Sequence, residues 1–227
     1  MIRENRFLVF DTETQGVENK LVYDLGYFIV NRRGRIFESR RFLVREIITD
    51  PKIMCDAFYH SKVYTNYIPM IDKATDPMLA SWEDIALTMR SDMQKHNVNI
   101  LTAYNLLFDL SAMRATSQHV GYSGHILTSR PTLLDLWLFA CQHLFTRPTY
   151  KTMADREGWK SEAGNYRTTA EHAFRYLTLN YNYDEPHTAL EDAEIEAEIL
   201  FRLLAMRKRI PYNEIIPNPW RIPQDDK

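Results

Sequence analysis

The chain has only two cysteines in 227 residues, Cys55 and Cys141, far apart and with no C-x-x-C pair. That leaves no material for a disulfide framework, a zinc ribbon or a dithiol redox centre, and it fits a reducing compartment, the cytosol. Long hydrophobic runs are lacking as well. The opening segment MIRENRFLVFD offers only Phe7 to Phe10 as an apolar run, too short for a secretory leader, and nothing approaches the ~18 apolar residues of a membrane span. A soluble, unprocessed, cytoplasmic protein with no membrane partner is expected. Excess charge of one sign is missing too: 28 Lys and Arg against 30 Asp and Glu give a net charge of -2 and a pI near 6.4. Such a balance disfavours a protein that coats long duplexes through many phosphate contacts. It still allows an enzyme that grips one strand end, where bound cations supply the positive charge locally. There is no internal repeat and no low-complexity segment, and 45% hydrophobic content suffices for one well-buried domain.

What is present reads as α/β. The apolar segment RFLVF at 6–10 predicts a strand; LVYDLGYFIV at 21–30 and RIFESRRFLV at 35–44 predict a hairpin turning at Asn31 to Gly34. Residues 45–80 show no clean period, are broken by Pro51, Pro69 and Pro77, and are rich in aromatics (Phe58, Tyr59, Tyr64, Tyr67); helix plus loop is expected there. Ser81, with Asp84 three residues on, predicts a capped helix through Lys95, followed by a strand at 99–103 and a helix beginning near Asn105. A further strand at 133–136 leads into a helix at 137–144, and 149–159 is another amphipathic piece. Thr168 with Glu171, and Thr188 with Glu191, read as capping boxes for the last two helices. The second of these carries apolar residues at Leu190, Ala193, Ala197, Leu200 and Leu204 and closes on Arg207, Lys208 and Arg209 before Pro211. The order predicts a mixed five-stranded sheet, an antiparallel hairpin flanking parallel strands, with helices around it. Residues 1–210 form one domain on this reading, and 211–227, with four prolines, form a tail that lies on the domain or reaches a partner.

Chemistry is concentrated at a few positions. Asp11 and Glu13 are two apart at the carboxyl end of the first strand, so both carboxylates point to the same side. A lone D-x-E is most often a polar strand end. Here the strand is apolar on both faces, which marks it as central, and acids at its carboxyl end stand where open α/β sheets bind ligands. Burying like charges together is costly unless a cation compensates. Asp109 follows Asn105 by four residues, placing the two on one helix face. His187 precedes the cap of the last helix and Asp192 lies one turn inside it, with Ala189, Ala193 and Ala197 alongside, small enough for close approach to another element. Four carboxylates and one histidine supply hard oxygen ligands for Mg²⁺ or Mn²⁺ and a base for water, as two-metal phosphodiester cleavage requires.

In this order, DTETQG at 11–16, YNLLFD at 104–109 and HTALEDA at 187–193 resemble the D-x-E, N-x-x-x-D and H-x-A-x-x-D motifs of the DnaQ-like 3′-to-5′ exonucleases of the DEDDh group. The resemblance spans residues 6–205 and implies a ribonuclease-H-like fold and 3′-to-5′ release of nucleoside 5′-monophosphates; the motifs do not separate DNA from RNA, and single-stranded 3′ ends are expected as substrate, DNA slightly ahead of RNA. It implies that Asp11, Glu13 and Asp192 hold the catalytic metal, that Asp11 bridges to a second near Asp109, and that His187 deprotonates the attacking water. Thr12, Thr14 and Phe108 would contact the terminal nucleotide, and Asn105 would shape the site. Gln15 stands where many members carry Thr, and Tyr104 where many carry His. The stretch from Ser161 to Pro186 is an insert whose tail resembles forms found in phage-encoded members.

Three features stay open on the sequence. The insert aromatics Phe174, Tyr176, Tyr181 and Tyr183 suit core packing or base stacking. The basic hairpin (Arg32, Arg33, Arg35, Arg40, Arg41, Arg45) suits phosphate contact or edge protection. Trp220 and the Pro-rich tail suit docking to a polymerase or replication complex as much as a structural role, while Asp135 is expected to make a structural hydrogen bond.

Overall fold

In the computed structural model, residues 4–55, 57, 61, 63–69, 78–127 and 130–224 are described; Phe58, Tyr59 and Pro77 of the aromatic stretch lie outside them. The first strand, β1 (Arg6–Thr14), buries Phe7, Leu8, Val9 and Phe10 completely. At roughly 1.5–3 kcal/mol for each large apolar side chain removed from water, this strand anchors both layers of the core. β2 (Val22–Asn31) is antiparallel to it and buried along its whole length, and β3 (Ile36–Val44) is antiparallel to β2. The hairpin between β2 and β3 is closed by the Asn31 side chain, whose Oδ1 accepts from the backbone N–H groups of Arg33 and Arg35.

Beyond the short helices α1 (Arg45–Ile48) and α2 (Pro51–Met54) and a π-helical turn at Val63–Tyr67, β4 (Met78–Ala80) runs parallel to β3. Among the described residues the sheet therefore has six strands, in the order β4-β3-β2-β1-β5-β6, where five are expected. The sixth is three residues long, too short to show an alternating pattern, and only its pairing with Phe42–Val44 defines it. Helix α3 (Trp82–Lys95) starts at the Ser81 cap as the sequence predicts. Next come β5 (Ile100–Ala103), parallel to β1; α4 (Leu106–His119); β6 (Thr132–Asp135), parallel to β5; and helices α5 (Leu136–His143), α6 (Pro148–Glu157), α7 (Ala170–Thr178) and α8 (Ala189–Ala205).

β1 lies inside the sheet, between β2 and β5, and its alternation divides the core. Leu8 and Phe10 join Tyr27, Ile85, Met89, Leu106 and Met113 on the α3 and α4 side. Phe7 and Val9 join Phe28, Val30, Phe139, Ala193, Ile199 and Leu200 on the α5 and α8 side. Helix α8 approaches the sheet closely because β2 carries Gly26. A Cβ there would stand 2.3 Å from the Leu190 backbone nitrogen, which no side chain could avoid.

Two expected caps differ. Helix α7 is capped by Thr169, whose hydroxyl accepts from His172 N, one residue later than expected. Thr168 is spent elsewhere: its hydroxyl accepts from Trp137 Nε1 and its carbonyl from the Tyr104 hydroxyl. Thr188 makes no side-chain cap at α8; the buried first-turn N–H of Ala189 is taken instead by Asp24 of β2, at 3.0 Å. Asp135 caps α5 by accepting from Trp137 N and Leu138 N.

The insert aromatics pack on one another and on the aromatics of the segment before them. Phe174 and Tyr183 lie 4.6 Å apart between ring centres, Tyr150 and Tyr176 5.2 Å, and Trp159 and Tyr181 6.1 Å. The hairpin arginines are largely engaged within the fold: Arg40 with Asp92 and Glu38, Arg41 with Asp24, Arg32 with the Leu204 carbonyl and Arg45 with the Leu79 carbonyl. The tail lies against the domain. Asn213 exchanges two hydrogen bonds with Leu133 of β6, and the Gln224 side chain bonds to the Tyr166 backbone in both directions. Among the described residues no helix is long and apolar enough to cross a membrane.

Candidate active site

Asp11 and Glu13 continue the face of β1 that carries Phe7 and Val9, so their carboxylates emerge on the α8 side at the carboxyl end of the strand. Their partners across the β2 ladder are Gly26 and Asp24, the residues that admit α8 and tether its first turn. His187 and Asp192 arrive by that route. Ligand atoms of Glu13, His187 and Asp192 all lie within 4.8 Å of one another. Asp109 comes from the opposite layer: α4 brings it under the end of β1, where its Oδ1 accepts from Thr12 N at 3.1 Å and Thr12 Oγ1 at 2.7 Å.

The acids act strongly on one another. Burial, then the Asp109, Glu196, Asp192 and Glu13 charges, push the Asp11 carboxyl well above the usual carboxylate range. Burial, then Glu185 and Glu13, raise Asp192 to about 9. Burial raises Asp109 to about 7 despite the Thr12 hydrogen bonds, which favour its charged form. Among the described residues, the groups that shift these three most include no arginine or lysine.

Five positions expected at the site thus come together: Asp11, Glu13, Asp109, His187 and Asp192. The remaining four fare differently. Thr12 gives both its donors to Asp109 and is buried, so it orients that carboxylate. Asn105 does not share a helix face with Asp109; it precedes the helix in left-handed backbone at φ 66°. The cause is a tight turn at the end of β5, in which the Asn105 carbonyl accepts from Phe108 N at 2.8 Å. His187 is also left-handed, at φ 56°. Left-handed backbone costs a non-glycine residue about 1 kcal/mol or more, and such strain concentrates at functional sites. Thr14 is half-buried with its hydroxyl on the Gly16 carbonyl. Phe108 is half-buried too, and Lys20 Nζ stands 5.3 Å from its ring centre.

Sequence reading missed Glu196. It is 3% exposed and sits in α8 one turn past Asp192. The signal was there: position 196 is three after Ala193 and four before Leu200, in the apolar stripe of the helix, and an acid occupies it. It also missed Asp24 and Gly26, whose role depends on a contact with a helix more than 160 residues away in sequence. Of the departures noted in sequence, Tyr104 turns its hydroxyl onto the Thr168 carbonyl at 2.6 Å. Gln15 is buried, its Oε1 without a hydrogen-bond partner.

The donor set suits a hard divalent cation. It consists of carboxylate oxygens and one imidazole with no thiolate among them, and buried Oδ1 of Asp192 and Oε2 of Glu196 have no hydrogen-bond partner. Crowded acids of this kind are tolerable when a cation compensates them.

No protein-family model and no curated protein matches the sequence. The structure, however, is similar to solved 3′-exonucleases. With E. coli exonuclease I in complex with a dA16 oligonucleotide the TM-score is 0.56 at 16% identity, covering 89% of this chain and 41% of that one. With a full-length 3′-exonuclease it is 0.60 at 13% identity, covering 96% and 89%. With the nuclease domain of 3′hExo, a DEDDh family member bound to rAMP, it is 0.57 at 12% identity, covering 95% and 99%. The chain spans about two fifths of the exonuclease I chains it matches. At these identities the likeness establishes the fold, the ribonuclease-H-like sheet and helices expected from the motifs.

Proposed function

We propose that the chain is a metal-dependent 3′-to-5′ exonuclease that hydrolyses phosphodiester bonds at single-stranded 3′ ends and releases nucleoside 5′-monophosphates. The observation that carries this is the convergence of Asp11, Glu13, Asp109, His187 and Asp192, from one strand end and two helices, in the fold of known 3′-exonucleases. Residues 1–210 form the catalytic domain on this reading, and 211–227 its tail.

Asp11, Glu13, Asp109 and Asp192 would hold two divalent cations, Mg²⁺ or Mn²⁺. When bound, these supply positive charge to the reacting phosphate and lower the pKa of water. The protein's own part follows from its geometry. Thr12 fixes the rotamer of Asp109 through two hydrogen bonds. His187, strained into place two residues before Ala189, the tethered start of α8, would accept the proton of the attacking water. Thr14 and Phe108 flank the acids at the end of β1 and the start of α4, and they would meet the terminal nucleotide, with Asn105 shaping the turn beneath it.

DNA is favoured as the substrate because the exonuclease I relatives carry deoxyoligonucleotides; the 3′hExo domain carries rAMP, which keeps an exoribonuclease as the alternative. The test is incubation of 5′-end-labelled DNA and RNA strands with the protein and Mg²⁺ or Mn²⁺, with Asp11→Asn as control. Shortening from the 3′ end with monophosphate release is expected. Intact strands throughout, with folded protein, would refute the reading. A docking role for the tail at a polymerase or replication complex is the lesser reading, because Asn213 and Gln224 are already bonded to the domain.

A further inference from the structure

Helix α8 places Glu196 one turn beyond Asp192, on the face that packs against the sheet. Its neighbours along that face are Ala193, Ala197 and Leu200. Nothing in this packing calls for a charge, and an isolated buried carboxylate is among the costliest groups a core can hold. The Tyr104 backbone N–H favours the charged form of the carboxyl. Its Oε2 is buried and, among the described residues, has no hydrogen-bond partner, and the same holds for Oδ1 of Asp192. The charges that act most on Glu196 are those of Asp109, Asp192 and Glu185, all acids, and Asp11 in turn feels the charge of Glu196. A fifth buried acid thus joins the four of the proposed site electrostatically, with one oxygen left unpartnered among the described residues.

We propose that Glu196 is a positioning residue of the divalent-cation site, whose unpartnered oxygen would help hold the water bound to a cation carried by the neighbouring acids. This rests on the exonuclease reading for the existence of the site and adds a residue that the three motifs do not contain. Groups standing behind the direct ligands typically govern metal affinity by about 10- to 100-fold. They leave the reacting geometry in place once the metal is saturating.

The test is Mn²⁺ binding to the purified full chain, read from the electron paramagnetic resonance signal of free Mn²⁺, with no substrate present. Glu196→Gln removes the charge and keeps an acceptor for Tyr104 N–H. It is expected to weaken Mn²⁺ binding about 10-fold, to shift the Mn²⁺ concentration for half-maximal excision by the same factor, and to leave the rate at saturating Mn²⁺ near that of the parent. Glu196→Asp is expected to fall between the two. An isotherm for Glu196→Gln that overlays the parent's overturns the proposal. Should Glu196→Gln not fold, Glu196→Met, of similar length with no polar group to desolvate, is measured in its place against the same criterion. Asp11→Asn separates the two levels of the argument. If it weakens binding and Glu196→Gln does not, only the role of Glu196 fails; if neither does, the cation site itself is misassigned.

Discussion

At the scale of single residues, the site is a set of acids that cannot all be charged without help, and this has consequences for pH. Asp192 is raised to about 9 and Asp109 to about 7, against ~3.9 for an unfolded aspartate. A carboxyl with a raised folded pKa binds its proton more tightly in the native state. Its contribution to stability is therefore complete below the unfolded value and is lost as pH climbs through the folded one. Metal-free protein is expected to melt at progressively lower temperature as pH rises from about 4 to about 9, and Mn²⁺ is expected to flatten that slope. Calorimetry with chelator and with Mn²⁺ checks both limbs.

By the same logic Asp11→Asn relieves repulsion. It is expected to abolish excision while leaving the metal-free melting temperature unchanged or raised by a few degrees, at about 2–4 °C per kcal/mol for a domain of this size. A large fall would mark Asp11 as a structural residue. His187→Ala is expected to lower the excision rate by ~10²- to 10⁴-fold, the usual worth of a general base, with a smaller effect on Mn²⁺ affinity. In the parent protein the rate should fall as acid protonates the imidazole; a His187→Ala variant with the parent's rate and pH profile would place the base elsewhere.

At the scale of elements, the decisive contact is between β2 and the first turn of α8. Asp24 is fully buried and holds three partners at once: the Tyr67 hydroxyl at 2.7 Å, the Ala189 N–H at 3.0 Å and Arg41 at 3.4 Å. It does at the helix end what the Thr188 hydroxyl does not. Two residues along, Gly26 leaves room for the helix backbone. A methyl group at position 26 must displace α8, because its nearest contacts are backbone atoms with no rotamer to yield. Gly26→Ala is therefore expected to cost roughly 1–3 kcal/mol as overpacking, and to lower activity beyond that, since His187 and Asp192 ride on the displaced turn. Denaturant unfolding gives the first quantity and excision at a temperature where the variant is fully folded gives the second. Full activity in a folded Gly26→Ala protein would show that the approach of α8 does not set the site.

At the scale of the whole molecule, two layers of helices hold β1 between them, and the acids meet because the strand ends where both layers can reach it. The tail belongs to this assembly. Asn213 extends the edge of β6 by pairing with Leu133, and Pro219 is buried. Truncation after Arg209 is expected to lower the melting temperature and to expose the β6 edge, with excision per folded molecule largely retained. Unchanged melting after truncation would return the tail to the role of a partner-binding arm.

The sequence by itself determined the elements with strong local signals. β1 was legible because four consecutive apolar residues can be satisfied only by burial on both faces. Helix α3 was legible because Ser81 and Asp84 specify its start within one turn, and Asp11 with Glu13 because a period of two is local geometry. Motif order then brought in Asp109, His187 and Asp192. What only the tertiary structure decided are features set by partners distant in the chain. The three-residue β4 exists through its pairing with β3. The α8 cap is supplied by Asp24, 165 residues away, and Thr12 serves Asp109 across 97 residues. Glu196 becomes part of the acidic cluster only when α8 lies flat on Gly26. A local pattern can state that a side chain is polar or apolar; which charge it will face, and at what cost, depends on packing that closes long loops, and that energy is written in the fold.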